Sequence, residues 1–232
     1  RSWHAGMVAC MGSGLIETAG AFCADRLRRW LPRAALLSTL AGIALGYIAL
    51  GFLLRSYAHP LVGLTSLAVI LLGTYAKVKW PLPTGLMAVL VGMVLAWSSG
   101  LIGPDASAWQ AGLSTVGLQA PTVQLGALWT NRADLMPWLG VILPMGLFNV
   151  IGSLQNLDSA EAAGDRYATR SCLLIDGIGT LSAAALGSCF PTTIYIGHSG
   201  FKDLGARSGY SWLNGVVMAC GCFFGLFGVV AL

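Results

Sequence analysis

Three ionisable side chains lie within otherwise apolar stretches of this sequence and are the first candidates for chemistry. They are Glu17, Asp176 and His198. A charged side chain at the centre of a bilayer costs about 2.5–3.5 kcal/mol on insertion scales, so residues of this kind are functional candidates by default. A carboxyl group or an imidazole at such a depth can bind a proton or pair with a polar ligand. We therefore treat all three as candidates for ion coupling.

Each of these residues also has a structural interpretation. For Glu17, an internal hydrogen bond that locks two helices is slightly favoured over a transport role. Asp176 lies in Asp-Gly-Ile-Gly-Thr, where the glycines would let another backbone approach, and structural pairing and proton handling stay equally open. A lone histidine is usually a packing residue, but His198 lies in a predicted break, beside an extended segment and near a helix start, which favours a functional site.

A further set of polar residues shares one face of a predicted helix. Asn149, Ser153 and Asn156 are spaced by four and three residues, which places them on the same side of an α-helix. An amide offers a donor and an acceptor in one plane, and this suits the carbonyl–NH edge of a heterocycle. Hydrogen bonding between helices is the alternative, and the spacing alone favours it.

An acidic turn follows this helix, with Asp158, Glu161 and Asp165 close to Arg166 and Arg170. Mutual pairing in a solvated turn is favoured here, and Glu161 is kept as a coupling candidate. The sequence shows neither a metal-ligand cluster nor a nucleophile–base pair at one end of the helices. It therefore predicts a protein that is not an enzyme and that has no cofactor and no metal.

The composition indicates the environment of these residues. The chain has 232 residues, of which 56% are hydrophobic and 9% charged, and its mean hydropathy is +0.75. A soluble domain has about a quarter of its residues charged, so this chain could not cover its surface in water. The composition predicts an all-α polytopic membrane protein whose partner is the lipid bilayer and not nucleic acid. Because the apolar run that begins at Gly215 simply stops at Leu232, we expect a piece of a longer protein.

Apolar stretches of about 20 residues, long enough to cross the hydrocarbon core as helices, predict the crossings. Regular crossings are predicted at 5–24, 34–54, 61–76, 135–157, 171–188 and 210–232, with a further one that Pro81 and Pro83 open and that ends near Leu101. Simple alternation of the crossings places ten basic residues on one side: Arg26, Arg28, Arg29, Arg33, Lys77, Lys79, Arg166, Arg170, Lys202 and Arg207. Only Arg1, Arg55 and Arg132 fall on the other side. The positive-inside rule makes the first side, with the Arg26–Arg33 loop, cytoplasmic.

The segment 189–207 is irregular. Pro191–Ile196 is rich in β-branched and aromatic residues and favours an extended backbone, and Gly197–Gly200 breaks the chain before Phe201–Ala206. Six extended residues and about nine helical ones together reach across a bilayer. Such discontinuous crossings indicate the binding site of a transporter.

Several of these motifs resemble one family. Phe148-Asn-Val-Ile-Gly-Ser-Leu154, with Ser159-Ala-Glu-Ala-Ala-Gly164 after it, resembles the eighth transmembrane segment of the xanthine/uracil/vitamin C permeases, the nucleobase–ascorbate transporters. Pro191-Thr-Thr-Ile-Tyr195, with Gly197 and Gly200, resembles their tenth segment, in which a short membrane-embedded β-strand leads into a half-helix. Asp176-Gly-Ile-Gly-Thr180 is similar to the helix between them, and Pro32-Arg-Ala-Ala-Leu-Leu to the start of the fifth segment.

The resemblance implies a transporter of fourteen segments in two inverted repeats of seven, of which this chain would cover about the fourth to the eleventh. It implies a core-domain helix at 1–30, gate-domain helices at 31–101, an inter-repeat connection at 102–134, and core-domain helices of the second repeat at 135–232. Substrate would lie between the half-helix start and the eighth segment. The implied substrate-binding residues are Phe148, Asn149, Ser153, Thr192, Thr193, Tyr195, Gly197 and His198. The coupling candidates are Glu17, Glu161, Asp176 and His198.

Two positions depart from the family pattern. Many members have a substrate-binding glutamate where this chain has Asn149, and an acidic residue often follows the strand where it has Gly197. An amide cannot take up a proton, so coupling would depend on Asp176, Glu161 or His198.

The resemblance implies a secondary active permease for a nucleobase or a similar small heterocycle. It would be coupled to H⁺ or Na⁺ and would lie in the plasma (inner) membrane, with a homodimer as a possible assembly. The alternatives are an anion transporter of the related sulfate-permease architecture and a non-transporting membrane subunit.

Overall fold

A computed structural model describes residues 2–101, 106–126 and 139–230, and every regular element within them is helical. The described helices are α1 (Ser2–Trp30), α2 (Arg33–Ile43), α3 (Leu50–Ser56), α4 (Pro60–Thr74), α5 (Thr84–Ser98), α6 (Ala106–Ser114), α7 (Leu139–Ala162), α8 (Thr169–Ala185), α9 (His198–Asp203), α10 (Tyr210–Phe223) and α11 (Phe227–Val230). A π-helical stretch, Ala44–Ala49, joins α2 to α3.

Within the described residues, three helical stretches are long and apolar enough to cross a membrane: Trp3–Trp30, Arg33–Ser56 and Leu139–Ala162. Two more apolar helices, α4 and α5, have 15 residues each, which corresponds to about 22 Å of helix. The described residues thus confirm the prediction of an all-helical fold, and the three long apolar helices indicate a membrane protein. The other predicted crossings stay predictions.

One compact unit comprises Arg1–Ala41 and Ala120–Val217. In it α1 packs against both α7 and α8, around a core of small and branched side chains that includes Ala21, Val150, Leu154 and Leu173. A Cβ atom added to Gly177 would lie 2.8 Å from the backbone nitrogen of Thr18. The absence of a side chain at Gly177 therefore lets α8 meet the backbone of α1, as the glycine-rich motif after Asp176 predicts.

The second compact unit comprises Gly42–Gln119 and Met218–Leu232. Here α4 packs against α5, and α6 packs against α11. Backbone hydrogen bonds join the segment after α6 to the end of α10, from Gly117 N to Phe224 O (3.1 Å) and from Gln119 N to Phe223 O (2.8 Å). The predicted domain boundaries stay a prediction. Within the predicted connection 102–134, the structure describes one helix, α6, and residues 102–105 and 127–134 lie outside the described residues.

The predicted β-strand at the irregular segment is not confirmed. Residues 189–197 are non-helical, and the described residues contain no strand with which they could pair. A single strand needs a partner for its ladder, and the resemblance would put that partner in the first repeat. The helix that follows has six residues and ends at Asp203, not after the nine predicted, because Gly205, two residues further on, has a φ of +87° that stops the helix.

The prediction that Arg26–Arg33 forms a loop is wrong. Helix α1 continues through Arg26 and Arg29 to Trp30, and only Leu31 and Pro32 separate it from α2. Arginine is a good helix former, and basic side chains are favoured in the last turn of a helix by its dipole. The side of the membrane on which this end lies stays a prediction.

Candidate functional site

The non-helical segment is held by side chains of α7 and α8. The Nδ2 group of Asn149 donates to the carbonyl of Thr192 (3.2 Å), and the Nδ2 group of Asn156 donates to the carbonyl of Ile194. The backbone N–H of Thr192 donates to the hydroxyl of Thr180 (3.1 Å). Irregular backbone at membrane depth persists only where such groups are satisfied within the protein. The polar face of α7 thus supplies hydrogen bonds that a helix or a sheet would otherwise provide.

A fully buried carboxyl group lies beside these contacts. Glu17 of α1 is 0% exposed, and its Oε2 accepts a hydrogen bond from Asn149 Nδ2 (3.1 Å). Its Oε1 lies 3.1 Å from the hydroxyl of Ser153, and the hydroxyl of Thr180 lies 3.5 Å from Oε2. Glu17 therefore joins α1 to both α7 and α8 through neutral polar groups.

Asp176 approaches the same serine from the other side. Its Oδ2 lies 3.2 Å from the hydroxyl of Ser153, and its backbone carbonyl accepts a hydrogen bond from the hydroxyl of Thr192 (3.0 Å). Two carboxyl groups from α1 and α8 thus meet at one hydroxyl of α7. We call the carboxyl groups of Glu17 and Asp176 the carboxyl pair.

His198, at the start of α9, is fixed at both ring nitrogens. Its Nε2 lies 2.8 Å from Oδ2 of Asp165, and its Nδ1 lies 3.0 Å from the hydroxyl of Tyr210. The ammonium group of Lys202 also binds Oδ2 of Asp165, at 2.9 Å. The hydrogen bonds from Lys202 and His198 lower the pKa of Asp165 below its ordinary value of 3.8. This carboxylate is therefore ionised at neutral pH, and it ties α9 to the turn between α7 and α8.

A cavity of about 420 Å³ lies among α7, α8, the non-helical segment and the starts of α9 and α10. Its lining includes Asn156, Asp176, Tyr195, His198 and Tyr210. Cavities of this size accept small organic ligands, and the two tyrosines can contact a planar ring. One polar atom here has no partner: among the described residues, no group binds the buried Oδ1 of Asn156. The cavity therefore combines aromatic surface with acceptor oxygens from α7 and α8.

A second cavity has a volume of about 590 Å³. His198 and Tyr210 line both cavities. The charged lining of the second cavity is Asp165, Lys202 and Arg207. Lys202 also donates to the carbonyl of Ala163 (2.7 Å). The ammonium group of Lys202 is thus already engaged by the turn that it faces.

Glu161 belongs to a separate ion network where α1 and α7 end. Arg28 binds both Asp158 and Glu161, and Arg166 lies 3.1 Å from Glu161 Oε1. Asp158 is 0% exposed. Salt bridges to several arginines give Glu161 a structural explanation, in line with the favoured interpretation of the acidic turn.

The structure divides the predicted substrate-binding residues into groups. Asn149, Ser153 and Thr192 surround the carboxyl pair, whereas Tyr195 and His198 line the smaller cavity. The other predicted residues are not brought into that lining. Gly197 precedes α9 as its cap residue, Phe148 has a 59% exposed side chain, and Thr193 is exposed.

Three residues of the site were missed among the predicted binding residues. Asn156 shares the helical face of Asn149, so the spacing that identifies Asn149 could have identified it too. Thr180 lies one turn after Asp176, and that spacing was a weaker signal. Tyr210 carries no signal in the sequence, because its contact with His198 depends on the path of the chain between α9 and α10.

Comparison of the chain with protein-family models, curated proteins and solved structures finds no match. Over the part of the chain that the structure describes, no group of three or more His, Cys, Asp or Glu side chains could hold a metal ion. The function is therefore argued from the carboxyl pair and the smaller cavity.

Proposed function

We propose that this chain is the central part of a secondary active transporter for a nucleobase or a similar small heterocycle, of the nucleobase–ascorbate transporter type. The chain would then belong to a seven-plus-seven inverted repeat, and the segment 189–207 would be its discontinuous crossing. The observation that carries the proposal is the binding of this non-helical segment by amides of α7 beside a ligand-sized cavity. A helical assembly subunit would not need backbone of this kind inside its bundle.

The chemistry of the cavity supports a heterocyclic substrate. Tyr195 and Tyr210 line it with Asp176 and Asn156. Because the amide nitrogen of Asn156 is bound to Ile194, the group left for a ligand is its oxygen, which accepts an N–H. Asp176 also offers carboxylate oxygens. Together these groups favour a planar ring that carries N–H donors.

The alternative of an anion transporter has weaker support. An anion would need a free cation at its site, and the smaller cavity has no Lys or Arg among its described lining residues. In the larger cavity, Lys202 is bound by Asp165, which leaves Arg207 as the other basic residue of its described lining. Uptake of inorganic or organic anions, and not of bases, would favour this alternative.

The test is the uptake of labelled bases by the full-length gene product in transport-deficient cells, with uracil, xanthine, adenine and guanine offered separately. We expect saturable uptake of at least one base. Absence of uptake of every base, with the protein verified in the membrane, would contradict the proposal.

Single substitutions then test the site itself. Asn149→Ala removes the amide that binds both Glu17 and Thr192, and His198→Ala removes the contact between α9 and Asp165. We expect each to lower uptake without lowering the amount of protein in the membrane. The matched control is Asn214→Ala, which removes an exposed amide on α10. Wild-type uptake in both site variants would remove these residues from the site.

A further inference from the structure

If Glu17 and Asp176 are both ionised, there are too few hydrogen atoms for both of their contacts with the Ser153 hydroxyl to be hydrogen bonds. The hydroxyl of Ser153 lies 3.1 Å from Glu17 Oε1 and 3.2 Å from Asp176 Oδ2. A serine hydroxyl has a single proton to donate, and an ionised carboxylate can only accept. Both contacts are hydrogen bonds only if one carboxyl group is protonated and donates to the serine oxygen, while the serine donates to the other carboxyl group.

No cation near the pair offsets two negative charges. The ion pairs among the described residues involve Asp158, Glu161 and Asp165, and neither acid of the carboxyl pair. The remaining side-chain partners of Glu17 are the neutral groups of Asn149 and Thr180. Glu17 is fully buried and Asp176 is half-buried, and two unpaired charges in such surroundings are strongly unfavourable. One shared proton halves that charge and completes the hydrogen bonds.

The other titratable groups around the pair are thiols, tyrosines and one histidine. On α1, the thiol of Cys10 contacts the carbonyl of Thr180, and on α8, Cys172 lies one turn before Asp176. Across the cavity stand Tyr167, Tyr195, His198 and Tyr210. Both ring nitrogens of His198 are bound elsewhere, and α7 contributes only the amide of Asn149 and the hydroxyl of Ser153.

We propose that Glu17 and Asp176 hold one proton between them and that this proton drives transport. This inference rests on the proposed function. Two arrangements exchange without breaking the contact: the proton on Asp176, with Ser153 donating to Glu17, and the proton on Glu17, with Ser153 donating to Asp176. The step moves a proton along existing hydrogen bonds and leaves the total charge of the pair unchanged.

The cavity gives this exchange a link to substrate. Asp176 belongs both to the pair and to the cavity lining, which also includes Asn156, a residue that is 7% exposed and whose Oδ1 has no partner among the described residues. An N–H group of a bound substrate that donates to Asp176 stabilises its ionised form and favours the proton on Glu17. Substrate binding and the position of the proton on Glu17 thus favour each other, as reciprocal coupling requires.

The test uses the full-length protein in proteoliposomes with the base that the uptake screen identifies. Two measurements are compared: accumulation driven by an inward proton gradient, and exchange of labelled for unlabelled base without a gradient. In the wild type, we expect both. In Glu17→Gln, we expect exchange to persist and gradient-driven accumulation to be lost. In Ser153→Ala, which interrupts the relay, we expect gradient-driven accumulation to fall more than exchange does. Asp25→Asn, an exposed carboxylate on the same helix, is expected to behave as the wild type.

A spectroscopic measurement does not depend on transport. At neutral pH, the infrared band of a protonated carboxyl group is expected in the wild type and in Asp25→Asn, and it is expected to disappear in the double variant Glu17→Gln/Asp176→Asn. Absence of the band in the wild type would overturn the shared proton even if the variants fold poorly.

The failures of the two proposals can be told apart. No exchange of any base in the wild type would overturn the proposed function, and the infrared band would still decide whether the proton is shared. Exchange without any accumulation under a proton gradient would overturn the inference and leave the proposed function in place. Accumulation driven by Na⁺ alone would do the same. Retained gradient-driven accumulation in Glu17→Gln would also overturn the inference.

Discussion

At the scale of single residues, the side chain of Asn149 connects the parts of the site. Its two N–H groups serve two acceptors at once, Oε2 of Glu17 and the carbonyl of Thr192. A carboxylate at this position could make neither contact. The amide therefore has a structural reason to be here: it donates to an acid supplied by another helix.

We predict that Asn149→Asp destabilises the folded protein. The substitution removes both donors and adds an acceptor beside two others, and each buried group left without a partner costs about 1–3 kcal/mol. Thermal unfolding of the purified full-length protein in detergent measures the effect. Asn214→Asp, at an exposed position on α10, is the matched control. Equal midpoints for the Asn149→Asp variant and the wild type would show that the two hydrogen bonds do not stabilise the fold.

At the scale of elements, the site depends on the close approach of α1 and α8. Glu17 reaches Ser153 and Thr180 only because α1 packs against α7 and α8. A close point of this contact lies next to Asp176, where a Cβ atom on Gly177 would clash with Oγ1 of Thr18. The glycine that follows the acid thus allows the close approach of the two helices that carry the carboxyl groups.

We predict that Gly177→Ala destabilises the protein by about 1–3 kcal/mol, because overpacking forces two helices apart. The same substitution at Gly152 is the control, since a Cβ atom there would meet nothing within 4 Å and alanine favours the helix. Thermal unfolding in detergent compares the variants. A Gly177→Ala protein as stable as the Gly152→Ala protein would contradict the helix contact.

At the scale of the whole molecule, the predicted orientation depends on whether the segment 189–207 crosses the membrane. Ten basic residues fall on one side only if it does, because Lys202 and Arg207 would otherwise change sides. The non-helical stretch and the six-residue α9 together are long enough to cross a bilayer. Whether they do so can be measured from the side on which residues after α9 are accessible.

We predict that Arg29→Cys and Asp203→Cys, both at exposed positions, label from the cytoplasm, and that His59→Cys labels from outside. The variants are made in a background without native cysteines and are treated with a membrane-impermeant reagent in intact and in permeabilised cells. Labelling of Asp203→Cys together with His59→Cys in intact cells would show that the segment does not cross. Labelling of Arg29→Cys in intact cells would invert the predicted orientation.

The sequence by itself determined the helical, membrane-type character of the chain and the polar face of α7. Hydropathy over about 20 residues and the 3.6-residue repeat are local properties, so they could be read from neighbours along the chain. Local propensity was a poorer guide at the irregular segment, whose β-branched residues predicted a strand. There the backbone forms hydrogen bonds with the side chains of Asn149, Asn156 and Thr180, because the described residues offer it no strand partner.

Only the tertiary structure decided which polar groups meet. Glu17 and Asn149 are 132 residues apart in the chain, and nothing in their neighbourhoods indicates a contact. The packing of α1 on α7 and α8 brings Glu17 and Asp176 to one hydroxyl, whereas Glu161 was drawn into an arginine network and His198 was bound to Asp165. A hydrogen bond forms between groups within about 3 Å of each other, and in a helical bundle that proximity is set by how the helices pack, not by the order of residues along the chain.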